Sequence, residues 1–195
     1  MHFSLQRNAR DGEIAVPHAG QGVSRKSCRL DADAHKFLEV QVRYWLMKSE
    51  PSDCGIDDLA RLPNQTVAWY GVRNYQARNF MRDQMKTGDG VLFYHSNCVE
   101  PGIAGIAQVS STAYPDATQF KRNSKYYDPK ATPETPRWFN VDVQLVRKTS
   151  LIPLAQLRQY PELEHMRTLQ RGNRLSITPL DPAEWKFITT RLVHN

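Results

Sequence analysis

Three polar clusters in this sequence combine residue types able to grip a nucleotide. The richest is Trp69-Tyr70-Gly71-Val72-Arg73-Asn74-Tyr75-Gln76-Ala77-Arg78-Asn79. Its pattern places Trp69 and Tyr70 at the end of a short strand and Asn74 at the start of a helix. A helix N-terminus offers free N–H groups and a partial positive charge, which favour phosphate. Arg73 precedes that terminus and Arg78 lies in its first turn, where a cation opposes the helix dipole and fits an anionic partner. A solvated helix face accounts for the same two arginines. Trp69 can stack on a base, although a Trp in a short strand also serves as core.

The second cluster, His95-Ser96-Asn97-Cys98, follows an apolar strand, so its side chains gather at one sheet end. Ser and Asn can read the hydrogen-bonding edge of a base. His95 and Cys98 alone are too few for a zinc site. As a nucleophile pair they lack a third, orienting group. The third cluster is Lys48-Ser49-Glu50 at another strand end, where Glu50 can accept from an exocyclic amine such as that of cytosine. Polar turns that satisfy their own backbone and a weak surface ion pair remain the plain alternatives. Between Tyr114 and Trp138, the bases Lys121, Arg122, Lys125 and Lys130 interleave with Tyr114, Phe120, Tyr126 and Tyr127. Such interleaving suits a single strand or a flipped base, or a loop anchored by its aromatics.

The elements that must position these clusters are legible in outline. Tyr44 to Met47 is apolar on both faces, as in a strand inside a barrel or between layers, and Pro51 closes it. Ser52 or Asp53 can cap a short helix over Ile56 to Leu62, stopped by Pro63. Thr66 to Trp69 predicts a short strand, broken by Gly71. Asn74 then caps the clearest helix, Tyr75 to about Lys86, with Ala77, Met81 and Met85 on one face. Strands are predicted over Val91 to His95, Ile103 to Val109, Phe139 to Val146 and Leu175 to Ile177. Tyr114 to Pro136 predicts a loop. Helical segments are expected over Leu154 to Gln159, near Glu162 to Leu169, and from Pro182 to about Leu192 behind the cap Asp181. Short strands without a βαβ rhythm point to an α+β domain with a small, strongly curved sheet. No internal repeat appears.

Composition bounds the partners. The 195 residues carry 26 Lys and Arg against 20 Asp and Glu, a formal charge of +6, which suits a nucleic-acid partner. Hydrophobic residues make up 40%, as in a globular domain rather than a disordered chain. No apolar run approaches the roughly 18 residues of a membrane helix, so no membrane association is expected. The start lacks the apolar stretch of a secretory signal. Cys28, Cys54 and Cys98 form no CxxC and no even framework, which fits a reducing, intracellular setting. Residues 1–42 are aperiodic and rich in turn formers, and are expected to form a flexible N-terminal extension. The domain is expected over residues 43–195. No Walker, GxGxxG, HExxH or GxSxG motif is present.

The runs YWLMKSEP (44–51), WYGVRNYQARNFMRD (69–83), VLFYHSN (91–97), AYPDATQF (113–120) and YYDP (126–129) resemble the EVE domain family. Trp138 through Val143 and RLSI (174–177) fit the same pattern. The resemblance implies a PUA-like fold: a curved, partly closed β-barrel flanked by helices. It also implies binding of nucleic acid, DNA or RNA, that carries modified bases, modified cytosine in DNA among them. On this reading the domain is a non-catalytic reader without metal or cofactor. Lys48, Ser49, Glu50, Trp69, Asn74, His95, Ser96, Asn97 and Tyr114 form the base pocket, and Arg73, Arg78, Lys121 and Arg122 hold the backbone. The alternative is a hydrolase or nuclease on modified nucleotides with His95 and Glu50 as acid and base. The expected location is intracellular and cytoplasmic, as for a bacterial relative of the family.

Overall fold

The computed structural model describes residues 41–193. The expected extension and Cys28 lie outside the described residues, apart from Gln41 and Val42, which are exposed coil. From Arg43 onward a six-stranded sheet dominates the α+β fold, curved into a partly closed half-barrel with helices against it.

In chain order the elements are β1 (Tyr44–Ser49), α1 (Pro51–Cys54), α2 (Ile56–Arg61), β2 (Thr66–Ala68) and α3 (Tyr75–Asn79), which continues as a π turn, Phe80–Gln84. Then come β3 (Gly90–His95), β4 (Gly102–Val109), β5 (Tyr114–Pro115), β6 (Phe139–Asn140), β7 (Asp142–Pro153) and α4 (Leu154–Leu157). The chain closes with β8 (Ile177–Leu180) and α5 (Pro182–Phe187), which runs into a second π turn, Ile188–Leu192. The large sheet has the order β2-β7-β4-β3-β1-β8, and β5 and β6 form a separate ribbon. All pairings in the large sheet are antiparallel except β1 with β3. That parallel pair was not visible in the strand spacing, because the crossover between its strands is built from short, broken pieces rather than one long helix.

Alternation along β1 explains its apolar run. Trp45 and Met47 face one core with Val91, Val109 and Val143, onto which α3 sets Ala77, Phe80, Met81 and Met85. Leu46 faces the other, with Leu92, Tyr94 and Ile103, covered by Leu157, Leu163, Met166, Ile188 and Leu192 from the C-terminal third. Burying each such side chain stabilises the fold by about 1.5–3 kcal/mol. Register breaks in β4 against β7 add bulges that bend the sheet.

Several boundaries differ from the sequence reading. Neither Ser52 nor Asp53 caps α2. Gly55 holds that position, and its N–H donates to Asp58 Oδ2 at 2.9 Å. The strand predicted over Phe139 to Val146 is interrupted at Val141 and then runs on to Pro153. The strand expected at Leu175 begins at Ile177. The Tyr114 to Pro136 stretch holds a 3-10 turn, Ala117–Phe120, rather than irregular loop alone.

One buried carboxylate ties the start of the domain together. Asp89, 2% exposed, accepts from Trp45 Nε1 at 2.9 Å, from Arg43 N at 3.0 Å and from Lys86 N at 3.0 Å. Asp89→Ala leaves all three donors without their acceptor and is expected to lower stability by about 3 kcal/mol, read as a shift in the urea midpoint.

Candidate functional site

Parallel pairing brings two of the polar clusters to one place. Ser49 is in register with His95, so the residues after each strand emerge side by side. Ser96 N donates to Ser49 O at 2.8 Å and continues the ladder. Ser49 Oγ donates to Cys54 O at 2.7 Å, holding α1 beside the strand end. Asn97 adopts a left-handed backbone, φ 50°, which Asn tolerates better than most residues. Its Nδ2 donates to Glu50 Oε2 at 3.1 Å. On the far side of β1, Lys48 N donates to Ser176 O at 2.8 Å and draws in the segment before β8.

A cavity of about 690 Å³ opens at this junction, within the range of roughly 300–1,000 Å³ usual for small-ligand sites. Lys48, Ser49, Glu50, Ser96 and Asn97 line it from the strand ends, and Val67, Ala68, Trp69 and Val72 from β2 and the turn after it. Trp69 is half-buried and packs edge-to-face with Phe93 at 5.6 Å. Its indole N–H has no partner among the described residues. Tyr70 and Tyr126 add a second aromatic group, in edge contact at 6.0 Å. Asp53 of α1 meets Lys125 at 3.6 Å, and both residues line the cavity. Gly71 has φ +83°, and a Cβ there would sit 2.6 Å from the Tyr126 ring. Only glycine satisfies both the turn and that approach.

Arg73 fixes the aromatic side of the cavity from behind. Its guanidinium donates to Asp116 Oδ2 at 2.8 Å, to Thr118 Oγ1 at 3.0 Å, and to the carbonyls of Tyr126 and Val72. It also lies against the Tyr126 and Trp138 rings, 5.2 and 5.3 Å from their centroids. Asp116, 1% exposed, accepts further from Gly71 N and from the Thr118 amide and hydroxyl. Burial pushes the Asp116 carboxyl up. The Thr118 hydroxyl, the Gly71 amide and the Arg73 guanidinium together outweigh it and hold the group below the usual carboxylate range. Gln119, fully buried, closes the loop by donating to the Asp116 and Trp138 carbonyls and accepting from the Arg137 and Trp138 amides.

The remaining sequence candidates stand elsewhere. Asn74 caps α3, accepting from Gln76 N and Ala77 N at 2.9 and 3.1 Å. His95 points to α2, where Nε2 accepts from Ile56 N at 3.0 Å. Burial pulls the His95 imidazole below its ordinary value, against the pull of Asp57 and Asp58. The Tyr114 hydroxyl donates to Asp142, and burial together with that carboxylate pushes its pKa up to about 12. Arg78 donates to Arg137 O at 2.8 Å and lies over the Tyr75 ring. Lys121 and Arg122 are exposed on the loop and do not line the cavity. The sequence reading set Lys125 and Tyr126 in the loop of interleaved bases and aromatics and Tyr70 at the strand end, but put none of them in the pocket, and it gave no site role to Asp53, Arg174 or Ser176. Tyr126 lies in the YYDP run and Arg174 and Ser176 in RLSI, runs that carry family pattern but no chemistry of their own.

Two outcomes test this geometry. Asp116→Asn removes the charge that Arg73 and Gly71 face, and is expected to cost about 3 kcal/mol at pH 7. Because the native carboxyl titrates below its unfolded value, its contribution is complete above about pH 4 and fades as pH falls through the native value. Urea melts at pH 7 and pH 3 should show the gap between variant and wild type shrinking in acid. His95 titrates the other way round for a base. Its native pKa lies below the unfolded value near 6.5, so stability should fall as pH drops below about 6.5, and His95→Gln should flatten that limb of the curve.

The comparisons with known proteins agree with this architecture. The EVE domain model matches residues 43–191. Thymocyte nuclear protein 1 of Danio rerio is 48% identical over 211 aligned positions, covering 96% of this chain and 90% of that protein. The Homo sapiens protein of the same name is 47% identical over 163 positions, covering 74% and 72%. Among solved structures, a Pseudomonas syringae protein aligns with a TM-score of 0.71 at 47% identity, over 75% of this chain and 97% of its own. Human THYN1 protein, solved in complex with 5-methylcytosine-containing DNA, aligns with a TM-score of 0.71 at 46% identity, over 75% and 95%. The name shared by the curated vertebrate relatives is that of a nuclear protein, which overturns the cytoplasmic location expected from the sequence. With a family model spanning most of the chain and relatives of nearly half identity on the same fold, the chain belongs to the EVE domain family.

Proposed function

We propose that this domain is a reader of modified cytosine in DNA, which takes the modified base into the cavity and leaves it chemically unchanged. The observation that carries this reading is the convergence on one cavity of Ser96 and the Glu50–Asn97 pair, from adjacent strand ends, with Trp69, which follows β2. A base extruded from a duplex loses stacking worth a few kcal/mol and must recover it in the pocket. Trp69 and Tyr126 supply aromatic surface for that purpose. Glu50, held by Asn97, is an acceptor for the exocyclic amine of cytosine. The relative solved with 5-methylcytosine-containing DNA supports both the strand and the modification. The formal charge of +6 supports attraction to the phosphate backbone.

The acid–base alternative fares worse on geometry. His95 Nε2 is engaged by the Ile56 amide, and His95 does not line the cavity with Glu50. Among the described residues no group of three or more His, Cys, Asp or Glu is placed to hold a metal ion.

Fluorescence anisotropy with matched duplexes tests the reading. The methylated duplex should bind more tightly than the unmodified one. Trp69→Ala should cost about 1–3 kcal/mol in binding, while Glu50→Gln should weaken the methylated and unmodified duplexes alike, because both cytosines carry the exocyclic amine. Melting curves of both variants separate loss of ligand from loss of fold. Mass spectrometry of the DNA after long incubation should show no mass change. Equal affinity for the two duplexes, or a converted base, overturns the reader.

A further inference from the structure

Five charged side chains line the cavity: Lys48, Glu50, Asp53, Lys125 and Arg174. Asp53 and Lys125 pair with each other, and Glu50 accepts from Asn97. Lys48 and Arg174 have no side-chain hydrogen bond or ion pair among the described residues. Lys48 is half-buried, and its burial pulls the ammonium below its ordinary pKa. A partly desolvated cation without a counter-ion is unfavourable unless an anion completes it. The backbone brings the two cations to the same edge. Lys48 N donates to Ser176 O, and Met47 is in register with Ile177, so Arg174 arrives two residues before the strand-end contact. The arginines near α3 are differently placed, since Arg73 and Arg78 are bound to carbonyls and carboxylate within the fold.

We infer that Arg174 and Lys48 hold a phosphate of the nucleotide whose base enters the cavity. This rests on the reader proposed above, and adds to it the anchor of the strand. An extruded base stays covalently tied to its two flanking phosphates, so at least one of them must cross the rim of the pocket. A guanidinium with all its donors free can meet a phosphate in bidentate fashion, and a neighbouring ammonium adds a point charge. The uncharged edge of cytosine offers neither group a comparable partner.

A methylphosphonate scan on the wild-type domain tests the assignment. A duplex with one 5-methylcytosine is prepared with each phosphate around that base neutralised in turn. Arg174→Ala is expected to weaken binding about tenfold and to lower the salt slope by about one. One methylphosphonate position should weaken the wild type to the same extent and produce no further loss in Arg174→Ala. Lys48→Met should couple to that same position, and Arg174→Lys should restore the salt slope while recovering only part of the affinity. Melting temperatures confirm that each variant is folded. Wild-type affinity and slope in Arg174→Ala overturn the inference, as do losses that multiply independently at every position. The same scan on an unmodified duplex keeps the two readings apart. Absence of methyl preference sinks the reader, whereas absence of coupling sinks the phosphate anchor alone.

Discussion

Two strands that run the same way must end at the same edge, and in this domain everything at the site follows from that. β1 and β3 are the parallel pair within an otherwise antiparallel sheet. Ligand sites in open sheets with parallel strands form beyond the carboxyl ends, where chains leave in different directions and open a crevice. Here Glu50 turns into α1 while Asn97 reverses in a left-handed turn, and the hydrogen bond between their side chains spans the gap. Had the two strands been antiparallel neighbours, Lys48-Ser49-Glu50 and Ser96-Asn97 would lie at opposite ends of the sheet.

The aromatic side of the cavity is held by a second device. Arg73 and Asp116 form a pair with the carboxylate almost wholly enclosed, and both carboxylate oxygens of Asp116 are occupied by donors from Gly71, Arg73 or Thr118. A buried ion pair stabilises a fold only when its remaining hydrogen-bonding capacity is met, and here it is. The pair joins the turn after β2 to the loop that carries Tyr126, and Gly71 lets the Tyr126 ring come close. Tyr126 and Trp69 therefore share a cavity although they are remote in sequence.

This arrangement divides the cations by task. Arg73 and Arg78 sit where a helix start would welcome an anion, yet their guanidinium groups serve carbonyls of the loop and rings of Tyr75, Tyr126 and Trp138. An arginine so engaged stiffens the frame around the pocket. Lys48 and Arg174 have no such partners among the described residues, and both line the cavity.

The sequence by itself determined the two-faced core strand, the helix with Ala77, Met81 and Met85 on one side, the cap at Asn74 and the family pattern, because each depends on residues close in the chain. It also marked Lys48, Ser49, Glu50, Trp69, Ser96 and Asn97, since polar types after apolar runs reveal strand ends. Tertiary structure alone decided which ends meet, because strand direction in a sheet is set by crossovers of broken, short elements with no periodic signal. It turned His95 to the Ile56 amide, Tyr114 to Asp142 and Arg73 to Asp116, all choices of partner at long range. And it placed Arg174 at the cavity through a backbone hydrogen bond between Lys48 and Ser176. That contact involves groups every residue possesses, so no side chain announces it.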